Sequence, residues 1–258
     1  MKTVCESKLG AITGKKYVVF TKRGNKSILV VLKLVKHLGF KKVFTQDQGG
    51  WITYSQFIKK LKLEEHRLKT NYGLIDNFNW LGVLLFNSMP GYIACQDMES
   101  VAEFCKLKKS FLINDVSGSI GTKDAFFGDL IIGSFGRWKP LNMGKGGFIA
   151  TSNKKHFDFL KNYEDELDFN LLEQKLLGLK SRLSSFHKLN KKIKTELSSH
   201  DIIYKYKQGI NVVVKFSSDS EKERLINYCK RTNYEYVECP KYIRVLDDAI
   251  SIEVKRID

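Results

Sequence analysis

The stretch FLINDVSGSIGTKDAFFGDLIIGSFGRWKPLNMGKGGFIAT (111–151) decides how this chain is read. FLINDV (111–116) is a short, near-continuous apolar run, and so are DLIIGSF (129–135) and GFIAT (147–151). Runs of this kind, bounded by turn residues, predict strands buried on both faces of a sheet. An acidic residue, Asp115, stands at the end of the first strand, and Ser134 at the end of the second. Lys139 follows Ser134 by five residues, and the turn GKGG (144–147) leads into the third strand.

Working outward, the same texture extends to the N-terminus. KYVVF (16–20), KKVFT (41–45), LKTNYGLID (68–76) and LGVLLFNS (81–88) are predicted strands. Helices are predicted from Ser27 to about Leu38, on the spacing of Ile28, Leu29, Leu32, Val35 and Lys36, and from Met98 to Lys106, on that of Met98, Val101, Ala102 and Cys105. Apolar strands alternating with helices predict an α/β fold with a mostly parallel sheet flanked by helices. Such sheets bind ligands at the carboxyl ends of their strands. Past residue 152 the pattern changes. Leu176, Leu179, Leu183, Phe186, Leu189, Ile193 and Leu197 predict one long amphipathic helix with a basic outer face. INVVVKF (210–216), a helix from about Ser220 to Thr232, YEYVE (234–238), YIRVL (242–246) and ISIEVK (250–255) predict a small α+β unit. The expected division is a large domain over 1–155 and, over 156–258, the long helix with a small C-terminal domain.

Composition narrows the class. Of 258 residues 43% are hydrophobic, which predicts an ordered globular protein. No apolar run approaches membrane-spanning length and the N-terminus does not resemble a signal peptide, so a cytoplasmic protein is expected. The five cysteines form no CxxC pair, so neither a disulfide framework nor a metal site is predicted. The net charge of +16 attracts phosphorylated ligands and polyanions. No basic run with interleaved aromatics marks an RNA-binding motif, so nucleic acid stays open as a partner without support from a motif.

The order of Asp115, Ser134, Lys139 and GKGG suits pyridoxal phosphate. A carboxylate at a strand end keeps the cofactor's ring nitrogen protonated, and with it the electron sink. A lysine forms the Schiff base and then serves as general base. A serine hydrogen-bonds the phosphate, and glycines after the lysine allow close backbone approach.

The stretch resembles the core of the DegT/DnrJ/StrS sugar-aminotransferase family, whose pattern is an Asp after a strand, then SF, three residues, Lys and a GxGG turn. Here these are Asp115, Ser134-Phe135, Lys139 and GKGG. NSMPGYIACQDMESVAEFC (87–105) is similar to the segment preceding the Asp strand, and TKRGNKSILVVLKLVKHLGFKKVFTQDQGGWITY (21–54) to the phosphate turn, its helix and an aromatic loop. YIRVLDDAISIEVKRI (242–257) resembles the family's closing strands. The resemblance implies the aspartate-aminotransferase fold, a seven-stranded-type sheet with a small C-terminal domain. It implies Lys139 as the internal-aldimine lysine, Gly24, Asn25 and Lys26 on the phosphate-binding turn, and Trp51 stacked on the cofactor ring. Arg137 and Arg244 are candidate substrate-anion contacts. The implied activity is amino transfer between a small-molecule donor and a keto substrate, for instance a phosphorylated or nucleotide-linked sugar, by a homodimer. Lyase-type chemistry with the same cofactor stays open, as does a non-catalytic homologue that binds a partner or RNA. The chain departs from the pattern at Asn25, where the family has Thr or Ser, and at Lys26, where it has a small residue. It departs also at Gly118, where the family has Gln or His. It is also shorter than typical members.

Overall fold

The structure, a computed structural model, describes residues 1–256; Ile257, the last position of the closing segment, and Asp258 lie outside the described residues. Its strands are β1 (Tyr17–Thr21), β2 (Lys42–Gln46), β3 (Glu64–Leu68), β4 (Val83–Asn87), β5 (Phe111–Asp115), β6 (Leu130–Ser134) and β7 (Gly147–Thr151) in one sheet. A second sheet holds β8 (Val212–Lys215), β9 (Tyr236–Cys239) and β10 (Ala249–Ile252). The helices are α1 (Lys2–Thr13), α2 (Gly24–His37), α3 (Thr53–Lys60), α4 (Met98–Leu107), α5 (Lys154–Lys161), α6 (Phe169–Glu196) and α7 (Asp219–Thr232).

The large sheet runs in the order β1-β7-β6-β5-β4-β2-β3. Pairings from β3 through β6 are parallel, whereas β7 runs antiparallel to both β6 and β1. The sheet is thus mostly parallel, as the apolar runs predict, and seven-stranded, as the family resemblance implies. Alternate side chains feed opposite faces. Val19, Val83, Leu85, Ile113, Ile132 and Ile149 pack under α2, α3 and α5 with Ile28, Val31, Tyr54, Ile58 and Leu160. From the other face, Val18, Phe20, Ile131, Phe148 and Ala150 meet α1 and α6 through Cys5, Leu9, Leu172 and Leu176. Leu84, Phe86 and Leu112 take Met98, Val101 and Cys105 of α4. Each such aliphatic side chain contributes on the order of 1.5–3 kcal/mol when fully buried.

Two predicted strands are corrected. Only Leu68 of the 68–76 stretch is in a strand, as the end of β3. The rest turns back on itself, with Asn71 and Leu74 exchanging backbone hydrogen bonds, because Tyr72 (φ 43) and Gly73 (φ 88) leave the extended region. The real strand is charged, EEHRL, which is tolerated at the sheet edge where one side lacks a neighbour. Residues 242–246 also form no strand. Lys241 to Arg244 is a turn, closed by the Arg244 N–H on the Lys241 carbonyl. Helices α1, α3 and α5 go beyond the sequence reading, and α6 begins seven residues earlier than the leucine spacing suggests.

The turn at 241–244 is held inward by Glu253, which is fully buried. Its carboxylate accepts from Arg244 Nε (2.8 Å) and Nη2 (2.6 Å), Ser251 Oγ (2.9 Å), Asn211 Nδ2 (3.1 Å) and Lys255 Nζ, and Arg256 lies within 3.3 Å. Burial opposes its ionisation, but the charges and hydrogen bonds of Lys255 and Arg244 prevail and hold the carboxyl well below the usual carboxylate range. An unfolded glutamate titrates near about 4.3, so this stabilisation is complete above about pH 5 and is lost as pH falls toward the lower folded value. Glu253→Ala leaves Arg244 and Lys255 buried without a counter-charge and is expected to cost about 3–5 kcal/mol in urea unfolding at neutral pH. The difference from wild type should shrink on acidification below about pH 4; an equal loss at every pH would refute this account.

Candidate active site

The carboxyl ends of β4, β5 and β6 face the N-terminus of α2 across a cavity of ≈ 330 Å³. Crevices at strand ends of this kind are the usual ligand sites of open α/β sheets. Its walls hold Asn87, Asp115 and Ser134 from the three strand ends, Gly24 and Asn25 from the helix start, Trp51 and Tyr92 from loops, and Lys139.

Asp115 is 5% exposed. One carboxylate oxygen accepts from the Tyr54 hydroxyl at 2.6 Å and the other from the Ser117 N–H at 2.9 Å. Burial, reinforced by the Asp115 charge, pushes the Tyr54 phenol well above its ordinary value, so it stays a neutral donor. The carboxylate is thereby fixed in orientation by two donors that come from α3 and from its own loop.

At the opposite end, the first turn of α2 has no side-chain cap. Arg23 stands at the N-cap with extended backbone, and the open N–H groups of that turn are left for another acceptor. Gly24 lies directly against Ser134: a Cβ there would stand 2.6 Å from the serine Cβ. The Ser134 hydroxyl accepts from Gly136 N–H at 3.1 Å, which leaves its own proton free to donate. Arg23 and Lys145, both exposed, line this end and bring positive charge.

Lys139 is half-buried, and its ammonium donates to the Tyr92 hydroxyl. It lies 4.5 Å from the Tyr92 ring centroid and 5.3 Å from that of Trp51. The Trp51 indole N–H donates to Asn25 Oδ1 at 2.8 Å, so the departure at position 25 supplies the acceptor that orients the indole. Gly118 is explained too. A Cβ there would come within 2.7 Å of the Tyr92 ring, which fills the space a longer side chain would need.

Lys139, Asp115, Ser134, Trp51, Gly24 and Asn25 therefore line one cavity. Three other predicted residues do not. Lys26 turns away to Asp165 at 2.7 Å, and Asp165 also takes the Lys22 N–H at 2.7 Å. Arg137 is exposed and stacks on Trp138 at 4.9 Å. Arg244, placed by the sequence on a strand, sits in the 241–244 turn and is committed to Glu253 behind Tyr92, 5.3 Å from its ring. Tyr54, Tyr92, Arg23 and Lys145 were not singled out from sequence. Arg23 and Lys145 carried one readable sign, since each adjoins a glycine of the predicted turns. The two tyrosines carried none.

Residues 180–258 match the model of the MJ1341 family C-terminal domain. No curated protein matches. Solved structures match across nearly the whole chain. A DegT DnrJ EryC1 StrS aminotransferase from Brucella abortus superposes with a TM-score of 0.77 at 14% identity, covering 98% of this chain and 84% of that one. The fold is that of the DegT/DnrJ/StrS aminotransferases. An E. coli GDP-4-keto-6-deoxy-D-mannose-3-dehydratase with bound hydrated PLP gives 0.77 at 11% identity, covering 99% and 88%. The ntda protein from Bacillus subtilis, with bound cofactor PMP, gives 0.72 at 16%, covering 97% and 72%. The likeness embraces the seven-stranded sheet, its helices and the separate small sheet.

Replacing Tyr54 by Phe removes the donor from a buried carboxylate. A hydrogen bond to a charged group is worth about 1.5–3 kcal/mol, and a loss of that size is expected in urea unfolding at neutral pH. Unchanged stability would show that Asp115 does not depend on Tyr54.

Proposed function

We propose that this protein is a pyridoxal-phosphate-dependent enzyme of the aminotransferase type, carrying its cofactor on Lys139. Its substrates in this reading are a small-molecule amino donor and a keto compound, a phosphorylated or nucleotide-linked sugar. The observation that carries the reading is the convergence in one cavity of an amine, a doubly hydrogen-bonded carboxylate and an anion cradle. The donor set fits the group. The α2 N-terminus, the Ser134 hydroxyl, Arg23 and Lys145 suit a phosphate, and Gly24 is small enough to let helix and serine close together.

When bound, pyridoxal phosphate supplies an electron sink for charge developing beside a substrate amine. The chain's own residues do the rest. Asp115, held by Tyr54 and Ser117, offers a fixed negative charge to the cofactor's ring nitrogen. Trp51, oriented through Asn25, offers a flat apolar face and limits water. Lys139 accepts and returns a proton at Nζ, and the Tyr92 hydroxyl holds that nitrogen in place between the two events. The net charge of +16 also favours phosphorylated substrates. In this reading the protein is a cytoplasmic homodimer.

A lyase-type reaction on the same residues is the second reading. It is favoured by the dehydratase among proteins of this fold, since the cofactor supplies the chemistry and the protein selects the bond.

Purified protein mixed with pyridoxal phosphate is expected to turn yellow, with a visible absorption band that borohydride removes by fixing the cofactor on a peptide containing Lys139. Lys139→Ala should bind without that band and lose about 10²–10⁴-fold in amino transfer. Wild-type protein that stays colourless with added cofactor would sink the proposal, and elimination products without amino transfer would select the second reading.

A further inference from the structure

The basic outer face of α6 takes no part in the cavity around Lys139. Along this helix run two hollows that share His187, Lys191 and Gln208, so they form one continuous groove. Its floor is apolar where Leu176, Leu179 and Leu183 come up to it. Its walls carry six lysines: Lys180, Lys188 and Lys191 on α6, Lys194 from the same helix, and Lys205 and Lys207 on the following loop. Among the described residues no aspartate or glutamate lines either hollow. Among the described residues none of these six lysines is ion-paired; the one i,i+4 pair near by joins Lys192 to Glu196.

The loop side of the groove is built. Lys194 is 7% exposed and its ammonium donates to the carbonyl oxygens of Tyr204 (2.9 Å) and Lys207 (2.6 Å). This ties both ends of the 204–207 turn to the helix. Tyr206, between them, is left 95% exposed and lines the groove. The Tyr206 ring is thus presented to solvent beside a trough of cations.

We propose that this groove binds single-stranded nucleic acid, with the lysines other than the buried Lys194 on the phosphates and Tyr206 stacked on a base. Clustered cations without counter-charge attract a polyanion and gain by releasing its condensed counterions. Lys188 and Lys191 lie one turn apart on one face, and Lys180 lies about 12 Å further along the axis, so the cations track a line. A line of charge inside a concave channel, with one stacking ring, is the arrangement that suits a flexible strand. A bilayer would call for cations spread over a plane, and an acidic peptide would have no use for the bare ring.

The test is fluorescence anisotropy of the full chain with a labelled single-stranded RNA of about 12 nucleotides, over a range of salt. DNA of the same sequence, duplex DNA and vesicles of mixed phosphatidylglycerol and phosphatidylcholine serve as competitors. Binding is expected to weaken steeply with salt. K188E/K191E, both at exposed positions, should lower affinity more than tenfold and reduce the salt slope by about 1.4, at about 0.7 per phosphate contact. Tyr206→Ala should weaken it about fivefold or more. K59E/K60E, the same charge change on α3, should leave binding within about twofold of wild type after the general field is screened. RNA and DNA strands of equal affinity would point to a backbone-and-stacking site, and preference for RNA to contacts with the 2′-hydroxyl; both support the groove. The proposal is overturned by absence of binding, by equal losses in the groove and α3 variants, by vesicles displacing the strand, or by full affinity in Tyr206→Ala. All variants should keep cofactor binding, because the groove shares no residue with the Lys139 cavity.

Discussion

Tyr92 is the constraint on which the arrangement of this molecule depends. Its backbone lies in the left-handed region (φ 66) directly after Gly91 (φ 58), a conformation that costs a non-glycine residue about 1–3 kcal/mol unless its surroundings fix it. The surroundings do so from every side. Its carbonyl accepts from the N–H groups of both Ile210 and Asn211 at 2.9 Å, which anchors the lead into the small sheet. Its ring is overlaid by Lys139 at 4.5 Å, Lys255 at 4.6 Å and Arg244 at 5.3 Å. Its hydroxyl meets the lysine on which the proposed chemistry turns. One side chain therefore fixes the spacing between the strand ends that build the cavity and the sheet that closes it.

The large sheet was legible because its central strands are buried on both faces and must be apolar throughout. β4 through β7 are nearly continuous runs of such residues. Legibility failed where a strand's surroundings are asymmetric. β3 is an edge strand whose Glu65 and Arg67 answer to Thr45 and Ser55 rather than to a core, so its sequence looks like a loop. YIRVL alternates as a strand should, yet Arg244 is drawn inward by Glu253, a partner nine residues away that no periodicity reveals. At the site, order along the chain pointed to Lys139, Asp115 and Ser134. It could not point to Tyr54, which reaches Asp115 across 61 positions of sequence, or to Tyr92, which reaches Lys139 across 47. It also gave Lys26 to the phosphate turn on position alone, where a neighbouring carboxylate decides otherwise.

The excess of positive charge is handled in two ways. Inside, Arg244, Lys255 and Arg256 converge on one carboxylate, a costly grouping that is tolerated because Arg244 and Lys255 both donate hydrogen bonds to it. Outside, along α6, Lys180, Lys188 and Lys191 stand exposed and, among the described residues, without an ion-pair partner. The first arrangement makes a rigid joint between turn and sheet. The second leaves free energy to be gained from an anion.

Asp165 joins parts of the molecule that are otherwise remote. It precedes α6 by four residues, its N–H donates to the carbonyl of Phe20 at the end of β1, and its carboxylate takes both Lys22 N–H and Lys26 Nζ. Burial works against its charge, but those lysines overcome it and keep the carboxyl below its usual range. The root of the long helix and the first turn of α2 thus share a single clasp. Any displacement of the start of α6 must therefore either move the first turn of α2 with it or break the contacts of Asp165.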